Sequence, residues 1–96
     1  MTHDELVECI AAAAVGLGEI YHFSRDSRRA TPGFPDIVVA GRRGVLFAEI
    51  KTGGGRLRER QQDWKWMLLA SGQMWRCYGP DDWNSGLIQA ELRQIA

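Results

Sequence analysis

Residues 34–51 read FPDIVVAGRRGVLFAEIK, two short runs of β-branched and apolar residues joined by a pair of arginines between glycines. Phe34 to Ala40 and Val45 to Lys51 have the composition of strands, and Gly41 and Gly44 supply a tight turn, so the stretch is predicted to fold as a β-hairpin. The period of two along the second strand puts Val45, Phe47, Glu49 and Lys51 on one face and Leu46, Ala48 and Ile50 on the other. Glu49 and Lys51 therefore point the same way. Running back from the turn brings Asp36, at the start of the first strand, beside them. Three ionisable groups are thus expected to converge where a sheet ordinarily buries apolar side chains.

Outward from the hairpin, the remaining elements follow from periodicity and breakers. Towards the N-terminus, residues 24–33 (SRDSRRATPG) are polar and without apolar periodicity, a basic loop, and residues 19–23 (EIYHF) read as a short strand. Thr2 and Glu5 have capping-box spacing, and Leu6, Ile10, Ala13 and Leu17 recur at helical intervals, so residues 2–16 are predicted to form an amphipathic helix ended by Gly16 and Gly18. Towards the C-terminus, Thr52 and Gly53 to Gly55 break the strand, Leu57 to about Ser71 reads as a helix stopped by Gly72, and residues 73–78 read as another strand. A short helix near 84–95 completes the order α, β, β, β, α, β, α, a small mixed sheet flanked by helices of the α/β or α+β class. No repeat or linker divides residues 1–96, which are read as one domain.

Composition narrows the function classes. The 96 residues are 45% hydrophobic and 25% charged with a formal net charge of zero, ordinary for a globular chain and short enough for one core. Without a run of roughly 18 apolar residues or a basic-then-apolar leader, no membrane association is expected and the predicted location is the cytoplasm. Cys9 and Cys77 are far apart and lack metal spacing, so they are expected to pack as small hydrophobes. No cofactor fingerprint or nucleophile elbow appears, which leaves no role for an organic cofactor. The zero net charge also hides a basic middle: from His22 to Lys65, ten cations (Arg25, Arg28, Arg29, Arg42, Arg43, Lys51, Arg56, Arg58, Arg60, Lys65) face five anions (Asp26, Asp36, Glu49, Glu59, Asp63).

Two carboxylates a few ångströms apart repel unless a proton or cation neutralises them, and oxygen ligands of this kind suit Mg²⁺ or Mn²⁺. The bland alternative is an ion pair of Glu49 with Lys51 at a sheet edge, worth about 0–1 kcal/mol. The ordered set Gly33-Phe34-Pro35-Asp36, Ala48-Glu49-Ile50-Lys51 and Gln61 with Trp64 resembles the PD-(D/E)xK nuclease superfamily. Within it, the chain is similar to the small stand-alone phage and bacterial form of the virus-type replication-repair nucleases (VRR-NUC). Tyr21-His22, Asp26 to Arg29, Trp75-Arg76 and Asp82-Trp83 extend the likeness over nearly the whole chain.

The resemblance implies a restriction-endonuclease-like core and a Mg²⁺- or Mn²⁺-dependent deoxyribonuclease. It makes Asp36, Glu49 and the main-chain carbonyl of Ile50 metal ligands, Lys51 the group that orients water, and Gln61 a residue approaching the catalytic centre. Many members of the superfamily add an acidic residue from the first helix. At about 100° per residue, Glu5 borders the buried stripe whereas Glu8 faces solvent, so Glu5 is preferred, with the capping box as its competing role. Arg25, Arg28 and Arg29 precede Asp36, and Arg56, Arg58 and Arg60 follow Lys51, placed to hold a DNA backbone without reading its sequence. His22 either contacts DNA, assists proton transfer or is structural. Trp64 and Trp66 lie about 200° apart on their helix, so one is expected to be exposed and, with Leu69, to offer a face for a homodimer. Branched DNA, a Holliday junction or a flap, is the expected substrate of recombination, replication or repair. The competing readings are a sequence-preferring restriction-like nuclease and a non-catalytic module binding DNA or protein.

Overall fold

The capping box at the N-terminus forms as expected: the Glu5 N–H donates to Thr2 Oγ1 at 3.1 Å and the Thr2 N–H to Glu5 Oε1 at 3.0 Å, launching α1 (His3–Gly16). The computed structural model describes residues 1–24 and 31–96. Beyond α1 come β1 (Ile20–Phe23), β2 (Ile37–Gly41), β3 (Gly44–Ile50), α2 (Glu59–Ala70), β4 (Met74–Tyr78), α3 (Pro80–Asn84) and α4 (Leu87–Ile95). The four strands form one sheet in the order β1-β2-β3-β4. The first three pair antiparallel, and β4 lies parallel to β3 because α2 carries the chain back across the sheet.

The two faces of β3 divide as the period of two requires. Leu46, Ala48 and Ile50 are buried with Ile37 and Val39 of β2 and Tyr78 of β4. They pack with Leu6, Ile10 and Ala14 of α1 and Ile88, Leu92 and Ile95 of α4 in the main core. Each of the larger of these side chains contributes about 1.5–3 kcal/mol by leaving water. On the opposite face, Phe47 and Trp75 are register partners on β3 and β4. Phe34 meets Phe47 edge-on at 6.4 Å between ring centroids and Trp64 of α2 at 4.9 Å, tying the loop before β2 to that helix.

Two expectations are corrected. Residues 84–95 do not form one helix: Ser85 and Gly86 divide α3 from α4, and Gly86 takes φ 85°, a left-handed conformation that glycine adopts without strain. The hairpin forms in the expected register, with Gly41 opposite Gly44, but its glycines do not serve the turn conformation. Positive φ occurs only at Gly18, Gly33, Gly72 and Gly86 among the described residues. At Gly41 a Cβ would instead overlap the Ile95 carbonyl, which accepts the Arg43 N–H at 2.9 Å. Glycine is needed there because the end of α4 lies against the turn.

Candidate active site

The hairpin register pairs Ile37 with Ala48, so Asp36 enters the sheet next to Glu49. The backbone of Asp36 is held by the Ser24 N–H, which donates to its carbonyl at 3.1 Å, and its side chain crosses to β3, where the Ile50 N–H donates to Oδ2 at 2.9 Å. Glu49 is 4% exposed. The third residue of α2, Gln61, bridges the cluster: its Nε2 donates to Glu49 Oε1 at 3.0 Å, and its Oε1 accepts from Lys51 Nζ at 3.3 Å and from the Arg58 N–H at 2.8 Å. One side chain thus closes the helix N-terminus and links Glu49 to Lys51. Asp36, Glu49, Lys51 and Gln61 are brought together from three separate segments.

Burial pushes the Glu49 carboxyl up to about 8, reinforced by the hydrogen bond and charge of Asp36 and only partly opposed by Lys51 and Arg58. Two carboxyls brought together in a half-buried site are an oxygen donor set that fits a divalent ion. Mg²⁺ is ordinarily held by one or two protein carboxylates, with water and substrate phosphate completing its sphere. Asp36 and Glu49 supply those two carboxylates; among the described residues no group of three or more His, Cys, Asp or Glu side chains is placed to hold a metal ion by itself.

Glu5 does not join the cluster. Its carboxylate is exposed, and the Thr2 N–H, the largest influence on it, holds it below the usual carboxylate range, so local capping takes the side chain. Glu8 is exposed as well. The first helix contributes His3 instead, whose Nε2 lies 3.1 Å from Asp36 Oδ2. The spacing of charges and apolar residues carries no sign of this contact, because an N1 side chain finds its partner only through the docking of the helix. Cys77, expected to pack as a small hydrophobe, is exposed beside Glu49 across the ladder. Burial and the Glu49 charge push its thiol up, which disfavours the thiolate.

A cleft of about 510 Å³ opens beside Asp36, with Ser24, Phe34, Arg58, Arg60 and Gln61 among its walls. Gly33 lies against the first turn of α2: it has φ 81°, and a Cβ there would overlap the Arg60 backbone. Arg58 and Arg60 thus border the cluster, and Arg56 is exposed in the segment leading to them. Arg42 and Arg43, by contrast, form the turn at the far end of the hairpin. His22 is exposed on β1 opposite Val38. The expectations for Arg25, Arg28 and Arg29 lie outside the described residues.

No protein-family model and no curated protein sequence matches the chain. Among solved structures, a VRR_NUC domain protein is similar at 19% sequence identity, with a TM-score of 0.69 over 98% of this chain and 90% of that one. The four-stranded mixed sheet with its flanking helices is therefore a VRR-NUC-like fold.

Proposed function

We propose that this protein is a metal-dependent DNA endonuclease of the VRR-NUC family, acting on branched DNA. The observation that carries the reading is the buried Glu49 carboxyl pressed against Asp36 and bridged through Gln61 to Lys51, at the edge of a cleft bordered by arginines. Asp36 and Glu49, together with the Ile50 carbonyl, would hold Mg²⁺ or Mn²⁺. When bound, the ion supplies Lewis acidity towards phosphate oxygens and lowers the pKa of water. Lys51 orients the attacking water and offsets charge gathering on the phosphate as the bond to the leaving oxygen breaks. Gln61 keeps Lys51 and Glu49 in register.

Arg56, Arg58 and Arg60, with Arg25, Arg28, Arg29 and His22 on the preceding segment, hold the DNA backbone, so affinity falls steeply with salt. Trp66, Met67 and Leu69 of α2 are exposed, Trp66 by 62% and Met67 by 73%, and form the face of a homodimer that sets two sites on a two-stranded or four-way substrate.

The test is cleavage of a labelled four-way junction, a flap and a plain duplex of matched sequence, in EDTA, Mg²⁺ or Mn²⁺. Metal-dependent cutting of the branched substrates is expected, with Lys51→Ala slower by about 10²–10³-fold, the loss typical of one transition-state contact. Junction binding without cutting under every condition would replace this reading with that of a non-catalytic module.

A further inference from the structure

We propose that His3 is a positioning residue that fixes the Asp36 carboxylate for metal binding; this rests on the reading of Asp36 and Glu49 as metal ligands. Asp36 Oδ2 faces two donors at once, the Ile50 N–H at 2.9 Å and His3 Nε2 at 3.1 Å. As a metal ligand Asp36 acts only as an acceptor, so the contact requires the His3 hydrogen on Nε2, and Oδ2 then receives both bonds. Two bonds to Oδ2 also set the direction of the second oxygen, Oδ1, which the carboxylate cannot turn without breaking one of them. The backbone donor holds the carboxylate from β3 and the imidazole holds it from α1.

His3 is itself fixed from several sides. It is the first residue of α1, directly behind the Thr2 cap, so the reciprocal bonds of Thr2 and Glu5 set where its backbone lies. Its ring packs 6.4 Å from that of Phe23, tilted by 38°. The side chain is 38% exposed, against 23% for Asp36, so the contact is partly shielded from water. Glu5 thus acts on the cluster at one remove, by fixing the helix start that aims His3. Partners of this kind, which orient a ligand without touching the ion, typically account for about 10- to 100-fold in metal affinity.

The experiment titrates Mn²⁺ alone into the intact protein without DNA. Calorimetry gives the affinity, and electron paramagnetic resonance gives the symmetry of the bound ion. Wild type is expected to bind, Asp36→Ala to lose binding, His3→Ala to bind about 10- to 100-fold more weakly with a broadened spectrum, and His3→Gln, which keeps a nitrogen donor at similar reach, to recover most of the loss. His3→Ala binding like wild type overturns the proposal. His3→Gln remaining as weak as His3→Ala also overturns it, since the ring would then act as a ligand or through packing alone. Mn²⁺ that binds wild type and Asp36→Ala equally, or binds neither, overturns the metal-site reading and this inference with it. Melting in EDTA reports whether each variant folds, and His3→Leu, bulky but without a donor, replaces the alanine variant should that one unfold.

Discussion

Buried carboxyls divide by what meets them. Glu91 is 8% exposed and satisfied: Tyr78 donates its hydroxyl to Oε1 at 2.7 Å and Arg76 its Nε–H to Oε2 at 2.9 Å. Glu19 is 5% exposed, near Gly41 of β2 and the end of α4; among the described residues neither of its oxygens has a hydrogen-bond partner, and burial pushes its carboxyl up. A raised carboxyl adds stability that is complete below its unfolded pKa and is lost as pH rises through the folded value. Glu19→Gln is therefore expected to stabilise the protein at pH 7.5 by about 1 kcal/mol, or 4–8 °C in Tm, and to change little near pH 4. A melting series across that range decides it. The same sign applies to Glu49, whose window runs from the ordinary carboxyl value of 4.5 to about 8. In EDTA, Glu49→Gln should gain on wild type in melting temperature across that window, and Mg²⁺ should raise the wild-type value more at pH 8 than at pH 5. Equal shifts at both pH values would contradict the account. Asp36, Glu49 and Lys51 were legible because a strand's period and a hairpin's return dictate their neighbours. His3 was not, since its contact depends on how a helix seats on a sheet, and Glu5 went to a local bond that distance along the chain already favoured.

At the level of elements, the approach of the loop before β2 to α2 depends on one residue. Gly33 combines a left-handed φ with the absence of a side chain against Arg60. Gly33→Ala is expected to cost about 1–2 kcal/mol for the backbone conformation alone. It should also push the first turn of α2 outward, taking Gln61 from Glu49 and reducing cleavage. Gly53→Ala, at a position with open space and no positive φ, is the matched control and should alter neither stability nor rate. Denaturant unfolding and cleavage rates of the two variants make the comparison. Element order and the extents of α1, β3 and α2 were readable from caps, glycines and periodicity. The division at Ser85–Gly86 and the contact at Gly41 were not: the first is a weak local breaker, and the second arises from packing between residues far apart in sequence.

For the whole molecule, asymmetry of cover matters most. The Leu46 face of the sheet lies beneath α1 and α4, whereas α2 buries only Leu68 and leaves Trp66 and Met67 largely in water. If that face joins two copies, Met67→Glu should yield a monomer by light scattering, with the fold intact because the residue is 73% exposed in the single chain. Junction cleavage should then lose its paired cuts while single-strand nicking persists. A wild-type monomer at working concentration would remove the basis for this expectation.

The seating of Ile95 against Gly41 has a practical side. Ala96 follows directly and lies by the hairpin turn, at the opposite end of β2 and β3 from Asp36 and Glu49. Attachment of a sensor chip, bead or dye at Ala96 would leave the arginine-bordered cleft facing solution. A label placed at Thr2 would instead sit beside the imidazole that grips Asp36, so labels at the two positions should not behave alike.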